Sequence, residues 1–229
     1  MIGVRFRSFL FANAKLSYAQ CGEDLIADFV FEALRISKPS YLDLGAHHPT
    51  YMSNTFLLYS RGSHGVCVEP DPELFVELRR KRPRDICLNV GVGLAHAQTA
   101  DYYVMTTKAL NTFSKSVAER YQSYGSQKIE KVVPVPLLPI NQIIEQYCKI
   151  PPQFISMDIE GFELQILNTL DFKRFRPLVL CVETLTYTED RTESKLTDVI
   201  DFVCEQGYLL YADTFINSIF VDRHAWKNR

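Results

Sequence analysis

The stretch SYLDLGAHHPTYMSNT, Ser40 to Thr55, decides the fold. A short apolar run around Asp43 closes on Leu44-Gly45, the pattern of a buried strand feeding a tight turn at the start of a nucleotide-binding α/β fold. A dinucleotide site would continue with a second and a third glycine, and here His47 and Pro49 stand in those places. A turn with the single glycine Gly45 presents few backbone amides to a diphosphate. A nucleoside cofactor without phosphates suits it better.

Upstream, Leu25, Ile26, Phe29, Val30 and Leu34 recur at helical spacing and predict an amphipathic helix over about 20–36, stopped before Pro39. Downstream, a helix starting near Ser53 leads to a strand at Gly65 to Glu69, and PDPELFVELRRKR reads as a helix with Pro72 in its first turn. Further strands are expected at Ile86 to Val90, Phe154 to Met157 and Leu178 to Val182, with a short helix around Ile143 to Tyr147 after VVPVPLLP. Leu196, Val199, Ile200 and Val203 line a helix before two late strands, Tyr208 to Tyr211 and Ser218 to Val221. Strands separated by helices imply a mostly parallel sheet covered on both faces, and the final pair implies an antiparallel hairpin at one edge.

The 229 residues, 47% of them apolar, suffice for one large α/β domain over 1–229, with a helical N-terminal cap over about 1–38. A net charge of -2 gives no reason to expect nucleic acid or an anionic membrane as partner. The six scattered cysteines lack metal-like spacing and read as reduced thiols, which points to the cytoplasm. MIGVRFRSFLFANAK is too short and too interrupted by Arg5 and Arg7 for a membrane span. The run Arg79 to Arg84 reads as a solvated helix end.

In such a sheet ligands sit beyond the carboxyl ends of the strands. The residues there are Asp43 and Gly45 after the first strand, Glu69-Pro70 after the second and Asn89 to Gly93 after the third. Asp158-Ile159-Glu160-Gly161 and Glu183 follow the next two. A carboxylate ending the second strand can bond both hydroxyls of a ribose.

SYAQCGEDLI, LDLGAHHPTYMSNTFLLYSRG, VCVEPDPELF and FISMDIEGFELQIL followed by RPLVLCVE resemble, in order, the motifs of the FkbM-type family of S-adenosylmethionine-dependent methyltransferases. The resemblance runs from about Ser17 to Glu183. It implies a Rossmann-like class I fold with a seven-stranded sheet, S-adenosylmethionine as cofactor, and O-methylation of a sugar-containing or polyol acceptor. His47 stands where the family often has asparagine, and Ser63-His64 occupies a commonly aromatic position.

Methyl transfer to a hydroxyl requires alignment, exclusion of water and removal of a proton. Asp43 and Gly45, with Ala46 and His47 in the same turn, are expected to hold the aminoacyl end of the cofactor, Glu69 the ribose, and Asn89 and Gly91 the adenine. The resemblance brings Gln20 and Asp24 near the cofactor as well. Asp158 and Glu160 are the expected catalytic carboxylates, with Glu163 close by and His48 an additional base. Asp158, Glu160 and Glu183 are also candidates to hold a magnesium ion. Each has a structural alternative: Asp43 and Glu69 as caps, the histidines as backbone partners within a tight loop, Glu163 as a complement to a helix dipole. The polar, aromatic segment Tyr102 to Lys131 is expected as a strand, loop and helix over the site mouth, a possible lid whose rings suit a glycan acceptor. A nicotinamide-dependent oxidoreductase and a non-catalytic binding protein are the competing functions.

Overall fold

A computed structural model describes residues 14–94, 98–186 and 192–229. The first thirteen residues of the expected N-terminal cap thus lie outside the described residues. Helix α1 (Glu23–Ala33) buries Ala27, Val30 and Phe31; of the stripe expected from spacing only Val30 is fully buried, Leu25, Ile26 and Leu34 are half-buried, and Phe29 is 50% exposed. Strand β1 (Tyr41–Leu44) is followed by α2 (Phe56–Ser60), β2 (Gly65–Val68), α3 (Pro72–Lys81) and β3 (Ile86–Leu88). Next come β4 (Gly91–Gly93), β5 (Gln98–Met105), α4 (Lys115–Ser123), β6 (Ile129–Pro139) and α5 (Ile140–Tyr147). The chain continues through β7 (Phe154–Met157), α6 (Glu163–Thr169), β8 (Val179–Glu183), α7 (Thr197–Glu205), β9 (Tyr208–Asp213), β10 (Asn217–Asp222) and α8 (Arg223–Lys227).

Seven strands form the main sheet in the order β3-β2-β1-β7-β8-β10-β9. The first five are parallel, and β10 runs antiparallel between β8 and the edge strand β9. Alternation along the strands builds a core on each face. Leu42, Leu44, Val66, Val68, Ile155 and Met157 pack with Ile143, Ile166 and Val199 of α5, α6 and α7. Tyr41, Cys67, Phe154 and Cys181 pack on the other face with Val30, Leu58 and Leu78 of α1, α2 and α3.

A second sheet of three strands, β4-β6-β5, was not expected. Its central strand contains VVPVPLLP, whose prolines discourage a strand reading. Around Pro134 and Pro136 only β5 pairs with β6, because β4 meets it at Leu137 to Pro139. A proline's missing N–H costs no ladder bond on the open side.

Arg82 corrects the reading of Arg79 to Arg84 as wholly solvated. It is fully buried. Its Nε donates to Asp85 at 2.7 Å, and its guanidinium reaches the hydroxyls of Tyr41 and Thr55, each at 2.9 Å, and packs over the rings of Tyr41 and Tyr59. Paired charge and saturated donors are what allow a guanidinium inside a core. All six cysteines are free thiols, and no helix among the described residues is long and apolar enough to cross a membrane.

Candidate active site

The turn after β1 lies against the end of β7. A Cβ on Gly45 would fall 1.8 Å from the carbonyl oxygen of Asp158, and the residue has φ +79°, so both space and backbone demand glycine. The amides of Gly45 and Ala46 donate to the Val68 carbonyl at 3.1 and 3.0 Å. His47 follows at φ +48°, and its amide donates to one Glu69 oxygen at 2.7 Å while the Asp71 amide donates to the other at 2.8 Å. Glu69 therefore ties the turn after β1 to the turn after β2. Burial pushes its carboxyl up to about 8 against the pull of these two donors.

At the end of β7, Glu160 and Gly161 both take left-handed backbone, φ +59° and +95°. Glu163 stabilises this strained turn: its Oε1 accepts from the amides of Ile159 at 2.9 Å and Gly161 at 3.3 Å. Because β7 and β8 pair in parallel with Met157 opposite Val182, Asp158 comes beside Glu183, and the two carboxyls share a hydrogen bond. Burial raises Asp158 to about 6, and Glu163 to about 7. Burial, followed by the charge on Asp158, holds Glu160 and Glu183 well above the carboxylate range.

These two turns face an open cleft of about 980 Å3 at the carboxyl ends of the strands. Of the residues expected from sequence, Gln20, Gly45, His47, Glu69, Gly91, Asp158 and Glu160 line it. Others lie outside its lining. Asp43 points to the opposite face of β1, where the Thr55 hydroxyl donates to it at 2.5 Å and Arg82 lies 3.9 Å away. Asp24 accepts from the Ser17 hydroxyl at 2.6 Å and the Tyr18 amide at 2.7 Å, steadying the segment that carries Gln20. Ala46 is buried beside them in the turn. Asn89 donates to the carbonyls of Glu69 and Pro70, both at 2.9 Å, bracing the turn from behind. The His48 Nδ1 accepts from the amides of Thr50 and Tyr51 at 3.2 and 3.0 Å, a loop role.

The far wall comes from the second sheet and from the segment that follows β5. Tyr102, Lys108, Asn111, Thr112 and Phe113 line the cleft, while α4 contributes no lining residue. Asp71 clamps this wall to the main sheet: it caps α3 at the Glu73 amide (2.8 Å) and accepts from Lys108 and Asn111, each at 3.0 Å. Asn54 and Asn217 also line the cleft and were missed from sequence. Asn54 lies in the same segment after β1 as Gly45 and His47, whereas Asn217 is brought there by the distant strand β10.

No group of three or more histidine, cysteine or acidic side chains among the described residues is arranged to hold a metal ion. The expected magnesium set of Asp158, Glu160 and Glu183 is not such a group, and Glu183 does not line the cleft. The donor set does fit a cationic, hydroxyl-bearing nucleoside. Glu69, Asp158 and Glu160 line the cleft, and its Lys108 is already paired with Asp71 and Glu73 at 3.0 and 3.3 Å. Two buried polar atoms there, His47 Nε2 and Asn217 Oδ1, have no hydrogen-bond partner among the described residues, as polar groups facing a ligand would. Burial, with His48 beside it, lowers the His47 pKa and keeps that ring neutral.

The seven-stranded, mostly parallel sheet is a Rossmann-like frame, and the family match makes the chain an S-adenosylmethionine-dependent methyltransferase. The chain belongs to the FkbM methyltransferase family: the methyltransferase FkbM domain matches residues 43–210. This sets aside the nicotinamide reading. No curated protein matches the sequence. Among solved structures, an O-methyltransferase from Bacillus cereus in complex with SAH is 12% identical, over 94% of this chain and 88% of that one, with a TM-score of 0.46. A TehB-like SAM-dependent methyltransferase from Corynebacterium glutamicum is 11% identical, over 96% of both chains, with a TM-score of 0.45. A human methyltransferase 10 domain containing protein is 11% identical, over 94% of this chain and 92% of that one, with a TM-score of 0.46.

Proposed function

We propose that the protein O-methylates a hydroxyl of a sugar-containing or polyol acceptor, with Asp158 as the proton acceptor. The observation that carries this reading is Asp158 in the lining of the same cleft as the glycine turn and Glu69, with Glu183 beside it at the end of the adjacent strand. S-adenosylmethionine supplies a methyl group on a positively charged sulfur. Glu69, His47 and Asn217 bind and orient it from the turn side. Asp158, with a pKa of about 6, is ionised at neutral pH and able to take a hydroxyl proton. Glu183, whose carboxyl burial holds well above the carboxylate range, lies beside Asp158 at the end of the adjacent strand. The ring pair Tyr102 and Phe113, 4.7 Å between centroids, offers faces to a sugar ring, and Asn111 and Thr112 offer polar groups to its hydroxyls.

The test is incubation with methyl-labelled S-adenosylmethionine and a panel of glycans, with the methylated atom assigned by NMR. A methyl ether on a sugar or polyol hydroxyl is the expected product. Once an acceptor is found, Asp158→Asn is expected to lower kcat by roughly 10² to 10⁴-fold while cofactor affinity stays within a few fold. For the parent enzyme kcat/KM rises with pH through about 6 and then levels, since the base must be ionised. A methylated amine as product, or parental turnover by Asp158→Asn, overturns the reading. Tight cofactor binding with no transfer to any acceptor favours a binding protein.

A further inference from the structure

A second cavity, of about 640 Å3, opens at the amino ends of β1, β2 and β3, the opposite end of the sheet from the cleft. Its rim carries Lys38, His64, Arg84 and Lys149, and no acidic residue lines it. Arg84 is already committed to Tyr59, lying 3.9 Å over its ring and donating to its carbonyl. Lys38 and Lys149, by contrast, make no ion pair or hydrogen bond with the other described residues, and neither does His64. The Lys38 chain lies beside Gly62, where a Cβ would come 3.3 Å from its Cε, which places this ammonium group near the mouth. Between the cations the surface is apolar and uncovered: Ile86 is 39% exposed and Ile150 58%. The sheet thus ends in opposite signs, carboxylates at one end of β1 and β2 and unpaired ammonium groups at the other. Each strand has four residues. At about 3.3 Å per residue the two mouths stand about 13 Å apart.

We propose that this cavity is a second ligand site, for a small molecule with an anionic head, a phosphate, sulfate or carboxylate, on an apolar body. Lys38 and Lys149 neutralise the head, as unpaired cations beside low-dielectric surface attract anions most strongly. Val66, Ile86 and Ile150 receive the body and withdraw it from water. The cofactor, cationic at sulfur and free of phosphate, belongs to the other end.

The probe is 1-naphthyl phosphate, titrated into the full chain by calorimetry with S-adenosylhomocysteine present in excess. One-to-one binding with a Kd below about 1 mM is expected, undisturbed by S-adenosylhomocysteine. The neutral analogue 1-naphthol is expected to bind at least tenfold more weakly. The double variant Lys38→Glu, Lys149→Glu alters two exposed side chains away from the cleft. It is expected to lose at least tenfold in probe affinity while its affinity for S-adenosylhomocysteine, measured in the same sample, stays unchanged. Absence of saturation, displacement of the probe by S-adenosylhomocysteine, or equal probe affinity in parent and double variant overturns the proposal.

Discussion

Glu69 shows how a single side chain serves fold and site together. Each of its oxygens accepts one backbone N–H, from His47 and from Asp71, so the carboxylate fixes the distance between two turns before it meets any ligand. Glu69→Ala is therefore expected to weaken cofactor binding by at least tenfold and also to lower Tm by roughly 4–8 °C, from the loss of two backbone hydrogen bonds worth about 2 kcal/mol together. Calorimetry and thermal unfolding on the same sample check both, and an unchanged Tm contradicts the bridging role. The sequence already marked Glu69, Gly45 and Asp158 by their positions at strand ends. It misled at Asp43, because a period of two sends alternate residues to opposite faces and the strand's register relative to the turn is not written in its composition. Arg82 was equally hidden: its neighbours Arg79, Arg80 and Lys81 carry the same charge, and only the tertiary partners Asp85, Tyr41 and Thr55 make its burial tolerable.

Among the elements, the parallel strands and their helices were legible from apolar period and punctuation, and the strand β6 was not. Its prolines argue against a ladder, and the argument fails only because β4 leaves that edge open. The three-stranded sheet matters because it carries one wall of the cleft, and Asp71 is its fastening to α3. Lys108→Met removes one of the two side chains gripping Asp71 and leaves the capping bonds of α3 intact. Faster amide hydrogen exchange confined to 106–113 is expected, with a KM for the acceptor raised about three- to tenfold and kcat within twofold, because the loss is of wall position rather than chemistry. Unchanged exchange in that segment would show that the wall is held by its own strands.

For the molecule as a whole, what matters is that an acid-walled cleft at the carboxyl ends of the sheet holds a phosphate-free nucleoside carrying a positive charge. Burial raises Glu69 to about 8 and Asp158 to about 6 in the free protein, so their ionised fractions grow between pH 6 and pH 8. A cation in the cleft favours the ionised forms, and linkage then requires its affinity to rise with pH over that window. S-adenosylmethionine and S-adenosylhomocysteine differ at sulfur by one methyl group and one positive charge, which cancels the contributions their common groups make. The decisive measurement is calorimetric titration of both compounds at pH 6 and pH 8, repeated with NAD in excess. One-to-one binding of both is expected, unaffected by NAD, with the affinity ratio of S-adenosylmethionine to S-adenosylhomocysteine rising about threefold or more from pH 6 to pH 8. No binding at either pH, displacement by NAD, or a ratio that falls as pH rises would contradict the account.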